Sequence, residues 1–198
     1  MEFALSGTHC GGKTTALWKT GTLLKENGFD NFTMIQEVAR GCLYPINELG
    51  NFGSVNWILL KHILTEYEAY RRGWTHLICD RSVFDEYVYF KVSVLERLRN
   101  DKINLNETIV LDQMLGYIRV VAEQWAGLFP YETIFLFDAL PLASDPDRSD
   151  SVAYQQQVDD CFKQYFKDWP NVVQVKGRGR TTRAEFVANK ILEALQDV

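Results

Sequence analysis

The 198-residue sequence predicts one three-layer α/β domain, a mainly parallel five-stranded sheet with helices on both faces. Three observations carry that expectation. Short apolar runs alternate with longer segments of helical periodicity along the chain. The runs are almost continuously apolar, as strands are when both faces of a parallel sheet are covered. The first run enters a glycine-rich turn that opens directly into a helix. A single domain of this length buries roughly 70% of its unfolded surface and needs no disulfide or metal staple.

Taken in order, residues 1–6 read as a buried strand and 13–26 as a helix ended by Asn27-Gly28. Residues 32–36 are a second strand, and 41–53, with Pro45, Asn47, Gly50 and Asn51, are too irregular for either element. Val55, Ile58, Leu59, Ile63, Tyr67 and Tyr70 recur at helical spacing up to Gly73. A strand over 75–79 precedes helices over 83–98 and 107–125, the latter with Leu111, Leu115, Ile118, Ala122 and Trp125 on one face. Strand 133–137, a polar segment 140–151, helix 152–167, strand 172–175 and helix 182–195 complete the chain. Thr182 and Glu185 have the spacing of a capping box for the last helix.

Hydrophobic residues make up 46% and charged residues 24%, the balance of an ordinary globular protein. Lys plus Arg number 21 and Asp plus Glu 26, and the whole acidic excess lies in the second half. That argues against a general nucleic-acid coat, which needs a net basic face. Cys10, Cys42, Cys79 and Cys161 are scattered without a CxxC pair or a His at zinc spacing, so free thiols in a reducing compartment are expected. No apolar run approaches the roughly 18–20 residues of a membrane span, and the N-terminus lacks signal-peptide character. The domain is therefore expected in the cytoplasm.

The strongest signal is Gly7-Thr8-His9-Cys10-Gly11-Gly12-Lys13-Thr14, which satisfies G-x-x-x-x-G-K-[ST] between a strand and a helix. Its glycines let successive N–H groups face phosphate oxygens, and the helix adds its positive end. Lys13 is placed on the β/γ-phosphates, Thr14 on Mg²⁺, and Thr15 as a further phosphate donor. His9 and Cys10 supply the shape of the loop rather than chemistry.

Ligands of an open parallel sheet lie at the carboxyl ends of its strands, where Glu37, Asp80 and Asp138 stand. Asp80 and Asp138 each end an apolar run, as a Mg²⁺-positioning Asp does, and pattern alone does not rank them. The company of Arg81 and Ser82 favours Asp80; Ala139-Leu140-Pro141 leaves Asp138 a loop-capping role. Glu37 and Arg40 form E-x-x-R after a strand. They make either a surface ion pair worth under about 1 kcal/mol, or a carboxylate for an acceptor hydroxyl with a cation beside it. Arg148 is the one basic residue between Arg119 and Lys163, and it lies in the polar segment where a lid would close. Lys176, Arg178, Arg180 and Arg183 read as a solvated basic loop or as residues flanking a nucleotide base.

With these motifs in order, the chain resembles P-loop nucleoside and nucleotide kinases, in particular the thymidylate kinase and deoxynucleoside kinase group. It also resembles small AAA-type kinase-like domains related to nicotinamide riboside kinases. Asp80-Arg81-Ser82 is similar to the D/E-R-[SYH] triplet of that group, whose Arg contacts phosphates and whose acid sits near Mg²⁺. Glu37 falls at the place of the group's carboxylate after the second strand, and Arg148 at its lid, although the multi-Arg lid is missing. The resemblance implies ATP and Mg²⁺ as cofactors and a small nucleoside or nucleotide acceptor as partner; a homodimer stays open. Lys13, Glu37, Arg81 and Arg148 are the expected catalytic residues, with Glu37, Arg40 and Arg81 on the acceptor side. Tyr44, Phe52, Asn56, Trp57 and Gln113 are candidates for reading the base. Arg40 and Arg81 lean the expectation towards a monophosphate acceptor. A kinase acting on nucleic-acid bases or ends, and an ATPase or switch without a small acceptor, are the rival readings.

Overall fold

The computed structural model describes the chain except residues 45, 47–50, 101–102, 143–150, 178 and 197–198. Its strands are β1 (Glu2–Gly7), β2 (Phe32–Ile35), β3 (His76–Asp80), β4 (Thr133–Phe137) and β5 (Val172–Val175). Its helices are α1 (Lys13–Glu26), α2 (Phe52–Arg71), α3 (Asp85–Asn100), α4 (Leu105–Leu128), α5 (Val152–Tyr165) and α6 (Arg180–Gln196), with a 3₁₀ turn at Val38–Gly41. The strands form one sheet in the order β2-β3-β1-β4-β5. Every pairing is parallel, with Leu5 of β1 opposite Asp80 on one side and Phe135 on the other. The predicted α/β fold is the observed one, and the sheet is wholly parallel.

Alternation along β1 sends its side chains into two cores. Phe3 and Leu5 pack with Leu17 and Leu24 of α1 and Val187 and Ile191 of α6. Ala4 meets the opposite layer, where Leu59, Phe84, Ile118 and Phe162 from α2, the β3–α3 turn, α4 and α5 converge. Both faces of β1 are thus dry, which is why its sequence is a continuous apolar run. Each fully buried Phe or Leu contributes about 1.5–3 kcal/mol.

Local signals explain most element ends. Asn51 starts α2 by accepting from the Ser54 N–H at 3.1 Å. Asn104 and Glu107 close a reciprocal capping box at α4, so that helix begins before the expected position. At α6 the expectation fails: the helix starts at Arg180, making Thr182 its third residue and not its cap. The inward face of α2 also differs from the apolar stripe read in the sequence. Tyr67 is exposed, while His62 and Glu66 are buried beside Ile58 and Leu59.

Candidate active site

The loop after β1 is shaped by backbone that most residues avoid. Gly7 (φ 124°) and Gly12 (φ 93°) are left-handed, as is the non-glycine Cys10 (φ 61°). A Cβ on Gly7 would sit 2.6 Å from the Phe137 carbonyl oxygen, so β4 leaves room for glycine alone. Such a curled backbone forms an anion-binding nest that opens at the N-terminus of α1. Lys13 spans it: Nζ donates to the Gly7 oxygen at 2.8 Å and the Thr8 oxygen at 2.7 Å. Burial first, then the Arg81 charge, lowers the Lys13 pKa to about 8, against the pull of Asp80, Asp85 and Glu37. His9 and Thr8 are buried in the loop, and Thr15 is exposed on the first turn of α1.

Asp80, the last residue of β3, lies next to this loop, and Thr14 Oγ1 donates to its Oδ2 at 2.6 Å. Burial raises the Asp80 pKa, while the Lys13 charge, the Thr14 hydrogen bond and Arg81 act the other way. A hydroxyl and a carboxylate oxygen brought together beside a phosphate loop are hard donors that fit Mg²⁺. Asp138 is engaged elsewhere, accepting from Gln174 Nε2 at 2.6 Å and facing Lys163 Nζ at 3.3 Å.

Arg81 follows Asp80 with φ 105°, a strained conformation for a residue with a Cβ. Its guanidinium is fixed on every side. Nε and Nη2 reach Glu37 Oε1 at 2.7 and 2.6 Å, and Nη1 reaches Asp85 Oδ2 at 3.1 Å. The group also lies 5.0 Å from the centre of the Tyr89 ring. Burial opposes its charge, yet Glu37, Tyr89, Asp85 and Glu86 outweigh burial and keep it protonated. Asp85 Oδ1 in turn accepts from the Ser82 N–H at 3.1 Å and the Ser82 hydroxyl at 2.8 Å, and the Ser6 hydroxyl lies 2.7 Å away. Glu37 therefore meets Arg81 more closely than Arg40, whose half-exposed Nε is 3.6 Å from Oε2. Burial, with the Asp85 charge added, pushes Glu86 up to about 7 despite Arg81.

Two helices hold the phosphate loop from behind. Gln155 of α5 donates from Nε2 to the His9 oxygen at 3.1 Å and the Leu140 oxygen at 3.0 Å. Arg183 of α6 donates from Nη1 to the Gly11 oxygen at 3.0 Å and the Asp138 oxygen at 2.6 Å, and from Nε to the Gly177 oxygen at 2.8 Å. The reading of Arg183 as solvated or base-flanking is thereby corrected. It shares the buried face of α6 with Ala184, Val187 and Ile191, a placement its charge concealed in the sequence. The Arg180 side chain stands beside Gly12.

The site thus gathers Gly7, Lys13, Thr14, Glu37, Asp80 and Arg81. Arg148 and most of the lid segment lie outside the described residues. Among the base-reading candidates, Phe52 packs against the Phe90 and Tyr117 rings and Gln113 is exposed on α4. Asn56 and Trp57 lie on the first turns of α2, with Trp57 near Gly41, and Tyr44 is half-exposed. Ser6, Asp85, Glu86, Tyr89 and Gln155 were missed. For Asp85 the available signal was its i+4 spacing from Arg81 at the head of α3.

The chain belongs to a family of AAA domains, whose profile matches residues 2–182. Among solved structures it is similar to deoxyadenosine kinase from M. mycoides, a structure with dCMP and a flexible dCDP bound. The TM-score is 0.66 at 14% identity, covering 98% of this chain and 100% of that one. It is likewise similar to thymidylate kinase from Ehrlichia chaffeensis, with a TM-score of 0.59 at 17% identity and 98% of both chains covered. These likenesses show the fold. Among curated proteins no sequence matches significantly. No helix among the described residues is long and apolar enough to cross a membrane.

Proposed function

We propose that this protein transfers the γ-phosphoryl group of ATP to a hydroxyl of a nucleoside, with Mg²⁺. The observation that carries the reading is the convergence of Lys13, Thr14–Asp80 and the Glu37–Arg81 pair at the carboxyl ends of β1, β2 and β3. Phosphoryl transfer asks little covalent chemistry of the protein; positioning and charge compensation supply the rate. Lys13 would leave the Gly7 and Thr8 carbonyls for the phosphates, an exchange of partners within the same loop. Mg²⁺, held by Thr14 and Asp80, would neutralise charge on the β/γ-oxygens. Glu37 accepts the proton of the acceptor hydroxyl, and Arg81 orients that carboxylate.

The sequence leaned towards a monophosphate acceptor because Arg40 and Arg81 offer cations. The geometry argues for a neutral acceptor instead. Arg81 is already matched by Glu37 and Asp85, and Glu86 adds a further acidic group. An incoming phosphate dianion would meet carboxylates faster than it met free positive charge. The test is a coupled assay of ATP consumption against a panel of nucleosides and nucleoside monophosphates. Turnover with nucleosides supports the reading. Turnover with monophosphates alone would restore the acceptor expected from the sequence, and turnover indifferent to any acceptor would make the protein an ATPase.

A further inference from the structure

On the opposite face of β3 from Asp80 lies a group of buried polar side chains that phosphoryl transfer does not use. His62 and Glu66, one turn apart on α2, meet Cys79 of β3. One ligand atom from each lies within 4.8 Å of the others, and among the described residues no other group of three His, Cys, Asp or Glu side chains does this. All three residues are buried. His62 Nε2 and Glu66 Oε1 face each other as a buried ion pair at 2.8 Å, out of line for a well-formed hydrogen bond. Glu2 of β1 adds an oxygen 3.5 Å from Cys79 Sγ.

We infer that His62, Glu66 and Cys79 form a buried three-residue site for zinc. Nitrogen, oxygen and sulfur donors together suit Zn²⁺ and not the hard Mg²⁺ of the phosphate site. The three ligand atoms are near enough to draw in around one small ion, whose bonds are about 2.0–2.3 Å long. The surrounding residues have the form of outer-shell support. Trp125 Nε1 donates to Glu66 Oε2, Tyr131 donates to Oε1 at 2.9 Å, and the Tyr70 hydroxyl donates to Glu2. Binding needs no redox partner. The Cys79 thiol gives its proton to solvent and becomes a thiolate, Glu66 binds as a carboxylate and His62 binds as neutral imidazole, so zinc replaces protons in the core. Because the ligands come from β3 and α2, the ion ties that helix to the sheet. Sequence spacing hides the set, since His62 and Cys79 are brought together by the crossover between α2 and β3.

The full chain, stripped with chelator and titrated with Zn²⁺ and then Co²⁺, tests this. The expected result is one zinc per chain retained through gel filtration and a raised melting temperature. The cobalt form should show a thiolate-to-cobalt charge-transfer band. Cys79→Ser and His62→Gln should each weaken zinc binding at least about tenfold and abolish the band or shift it, while Cys161→Ser changes neither. The cobalt spectrum of the unaltered chain decides the matter even if a variant fails to fold, since absence of the band overturns the proposal. Zinc that does not stay bound, or that stays equally well in Cys79→Ser and His62→Gln, overturns it too and leaves protons alone holding the cluster.

Discussion

Glu37 and Arg81 meet at 2.6 Å with both side chains buried, so each neutralises a charge that the interior would otherwise penalise. Removing one partner of such a pair costs about 3–5 kcal/mol, because the other is left buried and unmatched. Glu37→Gln keeps the shape and a hydrogen-bond acceptor but takes away the proton acceptor. Turnover should fall by roughly 10²–10⁴-fold, with the KM for ATP nearly unchanged, read from steady-state kinetics at saturating acceptor. A large loss of ATP affinity with turnover retained would assign Glu37 to the metal. Lys13, Asp80 and Glu37 could be singled out in the sequence because the phosphate-loop motif and the carboxyl ends of β3 and β2 mark their places. Asp85 and Glu86 follow no strand directly. Asp85 acquires its role only when Ser6 on β1 and Ser82 after β3 are brought side by side.

At the scale of elements, the phosphate loop is held by helices distant in sequence. Arg183→Ala would leave the Gly11, Asp138 and Gly177 carbonyls without their donor. Each such buried group costs about 1–3 kcal/mol, so a drop of several degrees in melting temperature and weaker ATP binding are expected. The check is thermal unfolding with and without nucleotide; an unchanged Kd for ATP would remove Arg183 from the positioning of the loop. Gln155 bonds Leu140, the first residue of the 140–151 segment, and His9 in the loop, so α5 ties the start of that segment to the phosphate loop. If Arg148 closes over bound ATP, Arg148→Ala should slow turnover about 10²-fold, less than a full arginine finger, since Lys13 and the metal would already share the compensation. Arg148→Lys should rescue poorly, lacking the planar fork. A change under about threefold, the mark of an exposed ion pair, would remove the lid assignment. Strands were the most legible elements because apolar runs and buried strands coincide. Helix ends were less so: nothing in residues 180–185 distinguishes a helix begun by Arg180 from one capped by Thr182.

For the whole molecule, the acidic groups gathered around Arg81 make stability depend on pH. Burial pushes Glu86 from its ordinary 4.5 to about 7, so the folded state prefers it protonated. The stability it contributes is present below pH 4.5 and is lost as pH rises towards 7, a loss on the order of 3 kcal/mol at 1.36 kcal/mol per pH unit. Glu86→Gln should therefore flatten the fall in unfolding free energy between pH 5 and 8, measured by urea denaturation at each pH. Parallel curves for the two proteins would show that other groups dominate. The polar residues inside α2 were the least legible part of the molecule. A helical apolar period predicts which face is inside, but it cannot reveal that His62 and Glu66 are carried inward beside Ile58 and Leu59. Every role given to the site residues depends on phosphoryl transfer at the Gly7–Thr14 loop. Its most direct test follows label from γ-³²P-ATP into a nucleoside, comparing the unaltered chain with Lys13→Ala of matching circular dichroism. Labelled nucleoside monophosphate is expected from the first and none above background from the second. Equal labelling by both, or hydrolysis to phosphate with no labelled nucleotide from either, would contradict it.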